Sequence, residues 1–232
     1  MMSEKDWKNR LKDAEIFFHL GGIEEYLPVL QFQRKINSDV EEDGSQAHII
    51  LCEHTETYTC GIHTEHIDSR IPNPVRIERG GSITYHGPGQ IVAYYIMNMK
   101  KLGTNVLGII NLAHGIETAY MKTHGIRVES RLHRETGIWH NGWKVGSTGF
   151  SIKGSTTMHG TALNINTDLQ KFSAINPCGM SPEIMTSLSE ISGKKYDMEK
   201  EKALFMEIIS ENMGVESFHR GKLSEQLSGI AP

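Results

Sequence analysis

Cysteine is scarce: Cys52, Cys60 and Cys178 are the only three in 232 residues. Three thiols cannot all pair, so no disulfide framework is implied and the chain reads as a protein of a reducing compartment. Long apolar runs are missing too. None approaches the roughly 18 residues that a membrane span needs. The opening stretch, "MMSEKDWKNRLKDAE", mixes acids with bases and has no apolar centre, unlike a secretory leader or a good transit peptide. These absences point to the cytoplasm. Charge of one sign is also lacking: 24 basic against 28 acidic side chains leave a formal net charge of -4. No global basic field draws the protein to nucleic acid or to an anionic lipid surface, so neither is expected as a partner. There is no internal repeat and no low-complexity linker, and residues 1–232 are expected to form one domain.

What is present alternates between two periods. Residues 23–37 carry Ile23, Tyr26, Leu27, Leu30 and Ile36 at helical spacing, with Pro28 tolerable in a first turn. "DVEEDGSQ" reads as a polar loop and "AHIILC" as a short buried strand. Val75 and Ile77 predict one face of a strand that follows two prolines. "QIVAYYIMNM" is the strongest strand signal in the chain. Thr104 is a candidate cap for a helix built on Val106, Ile109, Ile110, Ala113, Ile116 and Tyr120, ended by Gly125. Asn141-Gly142 joins two short arms as a type I′ hairpin. "TALNINTDL" alternates, and Asp197 caps a last helix with Leu204, Ile208 and Met213 inward. Hairpins dominate the middle and strict β-α-β alternation is absent. The expected class is α+β: a mixed or antiparallel sheet with packed helices.

Twelve histidines and 23 glycines are many for this length, and they cluster. "CEHTETYTCGIHTEH", residues 52–66, is dense in zinc-type ligands. Its two cysteines are eight apart, however, and no second cysteine pair exists, so it reads as a strand end followed by a polar loop. No metal is expected. "RGGSITYHGPGQ", residues 79–90, has a backbone with little side-chain cover, on which a ligand can lie. It is not a phosphate loop, because no Gly-Lys-Ser/Thr follows. Arg79, Thr84, Tyr85 and His86 interleave with its glycines, whereas plain turns favour Asn, Asp and Ser. Lys144 sits on the second hairpin arm between Trp143 and Val145. Taken alone it is a snorkelling surface lysine. His159, in "MHGTALN", reads alone as a structural histidine. Cys178 lies between Pro177, which stiffens the backbone, and Gly179, which frees it; this suits a thiol presented on a tight bend, although free cysteine is often simply buried.

Together, "RGGSITYHGPGQIVAY", "GIWHNGWKVGSTGFSIKGSTTMHGTALNINTDLQKF" and "INPCGM" resemble the lipoyl(octanoyl) transferase family in order and spacing, over about half of the chain. The resemblance implies the biotin/lipoate protein ligase fold. It implies transfer of an octanoyl group from octanoyl-acyl carrier protein to a lysine of a lipoyl domain, as in 2-oxoacid dehydrogenases or the glycine cleavage H protein, with no cofactor. Carried over by match, Cys178 is the nucleophile and Lys144 its electropositive and proton-handling neighbour. Arg79, Gly80, Gly81, Ser82, Ile83, Thr84, Tyr85 and His86 wall the acyl and thioester site. Ser147, Thr148 and Gly149, with His159, Gly160, Thr161 and Ala162, line it opposite. One departure stands out: Glu56 occupies a place where the family pattern has proline, so that loop lacks a backbone restraint. Lys100, Lys101, Arg131 and Arg134 are candidates for a basic patch that meets an acidic carrier protein.

Two other readings remain at this point. An ATP-dependent lipoate or biotin ligase of the same fold needs no thiol, and it needs a multiply basic adenylate loop; here Arg79 is the only base beside the two glycines. A non-catalytic metal- or acyl-binding protein would bind without turnover.

Overall fold

The computed structural model describes residues 4–43, 46–69, 71–175, 184–215 and 217–229. In chain order the elements are α1 (Glu4–Lys12), β1 (Glu15–Glu24), α2 (Tyr26–Asp43), β2 (Gln46–His54), β3 (Thr57–Cys60), β4 (Val75–Arg76), β5 (Ile83–His86), β6 (Gln90–Met97), α3 (Met99–Leu102) and α4 (Val106–Thr123). Then follow β7 (Glu129–Arg131), β8 (Gly137–His140), β9 (Trp143–Lys153), β10 (Thr156–Asn164), α5 (Leu188–Ser192), α6 (Met198–Met213), β11 (His219–Lys222) and α7 (Leu223–Leu227). The expected α+β class is what forms: an eight-stranded mixed sheet, ordered β11-β1-β2-β6-β10-β9-β8-β7, beside a smaller sheet, β4-β3-β5. β1 pairs in parallel with β2 and β11, and the large sheet is antiparallel from β2 to β7.

The sheet separates two apolar layers. Odd-numbered β6 residues, Ile91, Ala93 and Tyr95, join α4 and α6 through Ile109, Ile116, Tyr120, Phe205 and Ile209. Even-numbered ones, Val92, Tyr94 and Ile96, join α2 through Val29, Phe32, Ile36 and Val40. Every β6 residue is buried, which is why the strand reads as one continuous apolar run.

Several elements depart from the sequence reading. Ile23 lies in β1, which ends at Glu24, and is exposed, and α2 begins at Tyr26, with Pro28 in its first turn. The helix also runs on to Asp43 through residues that read as a loop. Val40 is fully buried there, and the Glu41 carboxylate accepts from Ser155 N at 3.0 and 2.9 Å and from Thr156 Oγ1 at 2.6 Å; tertiary contacts override weak local propensity. The strand expected over Val75–Ile77 shrinks to two residues. Asn105, not Thr104, caps α4, accepting from Gly108 N at 3.0 Å. Asn141 and Gly142 take φ values of 47° and 86°, as a type I′ turn demands. Asp197 caps α6 as expected.

Four rings stack across the β11-β1-β2 edge: His219 on Phe17 (4.6 Å), Phe17 on His48 (4.7 Å) and His48 beside His19 (5.2 Å). His19 Nε2 and His48 Nδ1 lie 2.9 Å apart, so one ring donates its N–H to the bare nitrogen of the other. Burial depresses His19 to about 4 and His48 to about 3.

Two measurements test this packing. A Cβ at Gly160 would lie 2.0 Å from the Ala93 carbonyl oxygen across the β10–β6 pair, whereas one at Gly115 on α4 meets nothing within 4 Å. Gly160→Ala is expected to lose about 1–3 kcal/mol in urea unfolding, and Gly115→Ala to gain about 0.5–1 kcal/mol. The reverse order would refute the register. Secondly, the unfolded chain takes up histidine protons near pH 6.5, before folded His19 and His48 do. The pair's contribution to stability is therefore level above pH 6.5 and falls as the pH drops from 6.5 toward 4, by about 1.4 kcal/mol per pH unit for each such histidine. In His19→Asn/His48→Asn the slope of urea midpoint against pH should lessen; an unchanged slope would refute the assignment.

Candidate active site

A cleft of about 1310 Å³ opens where the glycine loop faces β9 and the start of α4. Gly80, Gly81, Ser82 and Ile83 form one wall, Thr148, Gly149 and Phe150 another, and Val106 and Ile110 a third; Ile175 closes one side. His63, Glu65, His66 and Asp68 also line it.

The loop is held by its own backbone. Gly80 N donates to Phe150 O at 2.9 Å, His63 N to Gly81 O at 3.1 Å and Gly61 N to Ser82 O at 3.2 Å. Gly81 has φ 84°, left-handed backbone that glycine adopts without strain. Arg79 is buried and turned inward. Its Nη2 donates to Thr59 O at 2.8 Å and to Thr59 Oγ1 at 3.0 Å, and its Nη1 to Gly80 O at 3.0 Å. This arginine braces the loop from behind.

Thr84, Tyr85 and His86 continue into β5 and are buried behind the cleft wall. Tyr85 packs between Tyr58 and Phe172. His86 Nδ1 donates to Gln90 Oε1 at 2.8 Å, and burial pushes His86 down to about 3. Gln90 Nε2 donates to Asn164 Oδ1 at 2.9 Å, and Asn164 Nδ2 donates to Thr186 O at 3.0 Å.

Lys144 is not a snorkelling surface residue. It is 1% exposed, its Nζ lies 5.7 Å from the centre of the Trp139 ring, and its stem crosses Gly137, where a Cβ would sit 2.9 Å from Lys144 Cε. The hairpin bulge between Ile138 and Trp139 shifts the local register and sets this direction. Lys144 O accepts from Thr186 N at 2.9 Å. Burial, joined by the Lys144 charge, depresses His114 to about 4; burial raises the carboxyl of Glu117 to about 8, opposed by Thr161 and by Lys144.

Cys178 lies outside the described residues. The described chain stops at Ile175, on the cleft wall, and resumes at Ile184, one residue before Met185 bridges to Lys144. The remaining thiols are both buried, and burial raises both: Cys52 on β2 and Cys60 on β3. In the 52–66 segment, His54 Nδ1 donates to Glu24 O at 3.1 Å and Tyr94 donates to His54 Nε2 at 2.7 Å. Among the described residues no three His, Cys, Asp or Glu side chains gather as a metal site.

The structure brings together Gly80–Ile83 with Thr148 and Gly149 on the cleft. No cleft-lining residue comes from the 159–162 run. His159 faces α2: its N donates to Gln33 Oε1 at 3.0 Å and its ring lies 4.0 Å from Glu78. Gly160 packs against β6, Thr161 turns toward Glu117, and Ala162 joins the α2 layer. Ser147 is on β9 next to the wall residues. The sequence reading passed over Ile110, His114 and Glu117 as site neighbours, although Val106, Ile110, His114 and Glu117 fall on one helical face. Gln90 and Asn164 sat inside quoted motifs without a role. The candidate basic patch is thinned: Arg131 pairs with Glu129 and Glu135 and lies 4.3 Å from the Trp139 ring centre. Glu56, in the proline's place, pairs with Lys171 at 2.8 Å.

This geometry has known relatives. Residues 25–210 match the model of the lipoyl protein ligase A/B catalytic domain. "Probable octanoyltransferase 2" of Picrophilus torridus is 39% identical over 191 residues, covering 82% of this chain and 76% of that protein. The octanoyltransferase of Desulfotalea psychrophila is 34% identical over 204 residues, covering 82% and 89%. Among solved structures, lipoate-protein ligase A bound with ATP aligns with a TM-score of 0.68 at 10% identity over 93% of this chain and 91% of that one. The bi-partite lipoate protein ligase of Thermoplasma acidophilum aligns with a TM-score of 0.64 at 12% identity, covering 93% and 89%. The structural likenesses speak for the fold; with the sequence matches, the chain belongs to the lipoyl protein ligase A/B catalytic-domain family, among its octanoyltransferases.

Proposed function

We propose that the protein moves an octanoyl group from octanoyl-acyl carrier protein to a lysine of a lipoyl domain through a thioester on Cys178, acting in the cytoplasm as one catalytic domain over residues 1–232. The acceptors are lipoyl domains of 2-oxoacid dehydrogenases or the glycine cleavage H protein. The observation that carries this reading is a buried lysine, Lys144, whose strand pairs with the chain just beyond the Cys178 segment, in a member of the octanoyltransferase group.

In the first step the Cys178 thiolate attacks the donor thioester carbonyl. The carbon–sulfur bond to the phosphopantetheine arm breaks, and that arm leaves as a thiol by taking a proton from the Lys144 ammonium, which is left as the neutral amine. One thioester replaces another, so the step is nearly isoenergetic. The Lys144 ammonium supplies the positive neighbour that a thiolate needs at neutral pH. In the second step the acceptor amine attacks the Cys178 thioester, an amide forms, and the cysteine sulfur departs. The amine's proton passes to Lys144 and from there to that sulfur. An eight-carbon chain gains about 0.8 kcal/mol per methylene on burial, enough to supply most of its binding. The ligase alternative is disfavoured by Arg79, the one base of the glycine loop, which is committed to Thr59 and Gly80.

The test is incubation with octanoyl-acyl carrier protein and an apo lipoyl domain without ATP, followed by intact mass. Octanoyl adducts are expected on wild-type enzyme and on the acceptor, with none on Cys178→Ala. Transfer that requires ATP and free octanoate would overturn the transferase reading. Lys144→Ala should lower the transfer rate by about 10²–10⁴-fold with unchanged circular dichroism; a near-normal rate would remove Lys144 from the mechanism.

A further inference from the structure

We propose that Asn164 is a positioning residue for the transfer reaction: with Gln90 it fixes where the chain beyond residue 183 docks beside Lys144. This rests on the Cys178–Lys144 reading above. Asn164 ends β10 and Gln90 begins β6, directly opposite in register, and both are buried to 2% or less. Their side chains form one directed series. His86 donates to Gln90, Gln90 donates to Asn164 at 2.9 Å, and Asn164 donates to the Thr186 carbonyl at 3.0 Å. Thr186 is then gripped on both sides of its backbone, because its N–H donates to Lys144 O at 2.9 Å. Three residues on, Ser189 N donates to Ile165 O at 2.8 Å, so the following chain is tied to the residue next to Asn164.

The amide is suited to this place by its two ends. Its oxygen must accept from Gln90, and its nitrogen must donate to a carbonyl. No other uncharged side chain of that size does both in one plane. Each group it satisfies is buried, so removal leaves a donor and an acceptor unmet and lets the 184–186 chain drift from β9. A misplacement of about 1 Å at a reacting pair costs on the order of a hundredfold in rate.

The test compares Asn164→Ala, Asn164→Asp and Lys144→Ala with wild type, measuring kcat, KM, their pH profiles and near-ultraviolet circular dichroism. Asn164→Ala is expected to lower kcat about a hundredfold with KM little changed. Asn164→Asp keeps the shape. As the ionised acid it accepts from Gln90 but has nothing to give Thr186; as the neutral acid its O–H replaces the lost N–H. Its kcat should therefore rise as the pH falls from 8 to 6, the reverse of wild type, whose thiol and amine need to lose protons. The charged and titratable groups nearby are His86 through Gln90, Lys144 through Thr186, and Glu53, which accepts from Gly89 N at 2.7 Å and pairs with Lys202 at 3.3 Å. If both Asn164 variants keep kcat within twofold of wild type while Lys144→Ala is crippled, the positioning role is overturned and the transferase reading stands. If Lys144→Ala also transfers normally, the underlying reading has failed. If Asn164→Ala does not fold, the sign of the Asn164→Asp pH profile decides alone.

Discussion

An ammonium withdrawn from water costs several kcal/mol unless its surroundings offset the loss, and this fold takes Lys144 to 1% exposure. Much of the local architecture follows from that constraint. Gly137 has φ 148° and no space for a side chain, because Lys144 Cε and the Gly146 carbonyl fill it. Gly146 in turn is crowded by Ile138, 2.9 Å from where a Cβ would be. Two titratable side chains feel the lysine's charge. His114, with Nδ1 2.6 Å from Ser130 Oγ and Nε2 2.8 Å from Thr148 Oγ1, is pushed down to about 4, and Glu117 keeps its proton up to about 8.

The parts of the fold that announced themselves in sequence are those whose signal is local. β6 is apolar throughout because both of its faces are covered. α4 repeats its apolar residues at helical spacing, the Asn141-Gly142 turn needs left-handed backbone, and α6 begins on an aspartate cap. β1, β3 and β5 did not announce themselves. β1 is broken by Gly21 and Gly22 and owes its strand to partners on both sides, and β3 and β5 exist by pairing with each other across more than twenty residues. The same split runs through the site. The glycine loop and Lys144 were legible as motifs. Which face each motif residue would take was not: His159 has φ 62°, which breaks the strand alternation and separates it from Thr161. Gly80–Ile83 and Thr148 meet on the cleft while His159 looks toward α2. The Gln90–Asn164 contact joins residues 74 apart, and no local pattern encodes it.

Arg79 shows how a motif residue changes meaning once its partners are known. In sequence it stood as a base beside a bare backbone, one of the residues walling the acyl and thioester site. In the fold its guanidinium spends donors on Thr59 and on Gly80, and it thereby sets the height of the loop over β9, where Gly80 N meets Phe150 O. A planar group with several fixed donors suits that task better than a lysine would. The cleft wall is then made of peptide groups held at defined positions.

The loss of proline at position 56 is compensated by a different kind of restraint. A proline acts mainly on the unfolded chain and is worth about 0.4–1 kcal/mol where its backbone fits. Glu56 acts on the folded one: its carboxylate meets Lys171, while Tyr58 donates to Lys171 O at 3.0 Å. An exposed ion pair contributes about 0–1 kcal/mol, so the exchange is close to even in energy. It is not even in connectivity. Proline would have stiffened only its own loop, whereas the Glu56–Lys171 and Tyr58–Lys171 contacts fasten that loop to the turn at Leu169–Ala174, directly ahead of Ile175 on the cleft wall. Restraint moved from a ring to a tertiary contact thus ties the loop to one side of the cleft, at Ser173–Ile175. Because one of the contacts is ionic and exposed, that link weakens with salt in a way a proline never would.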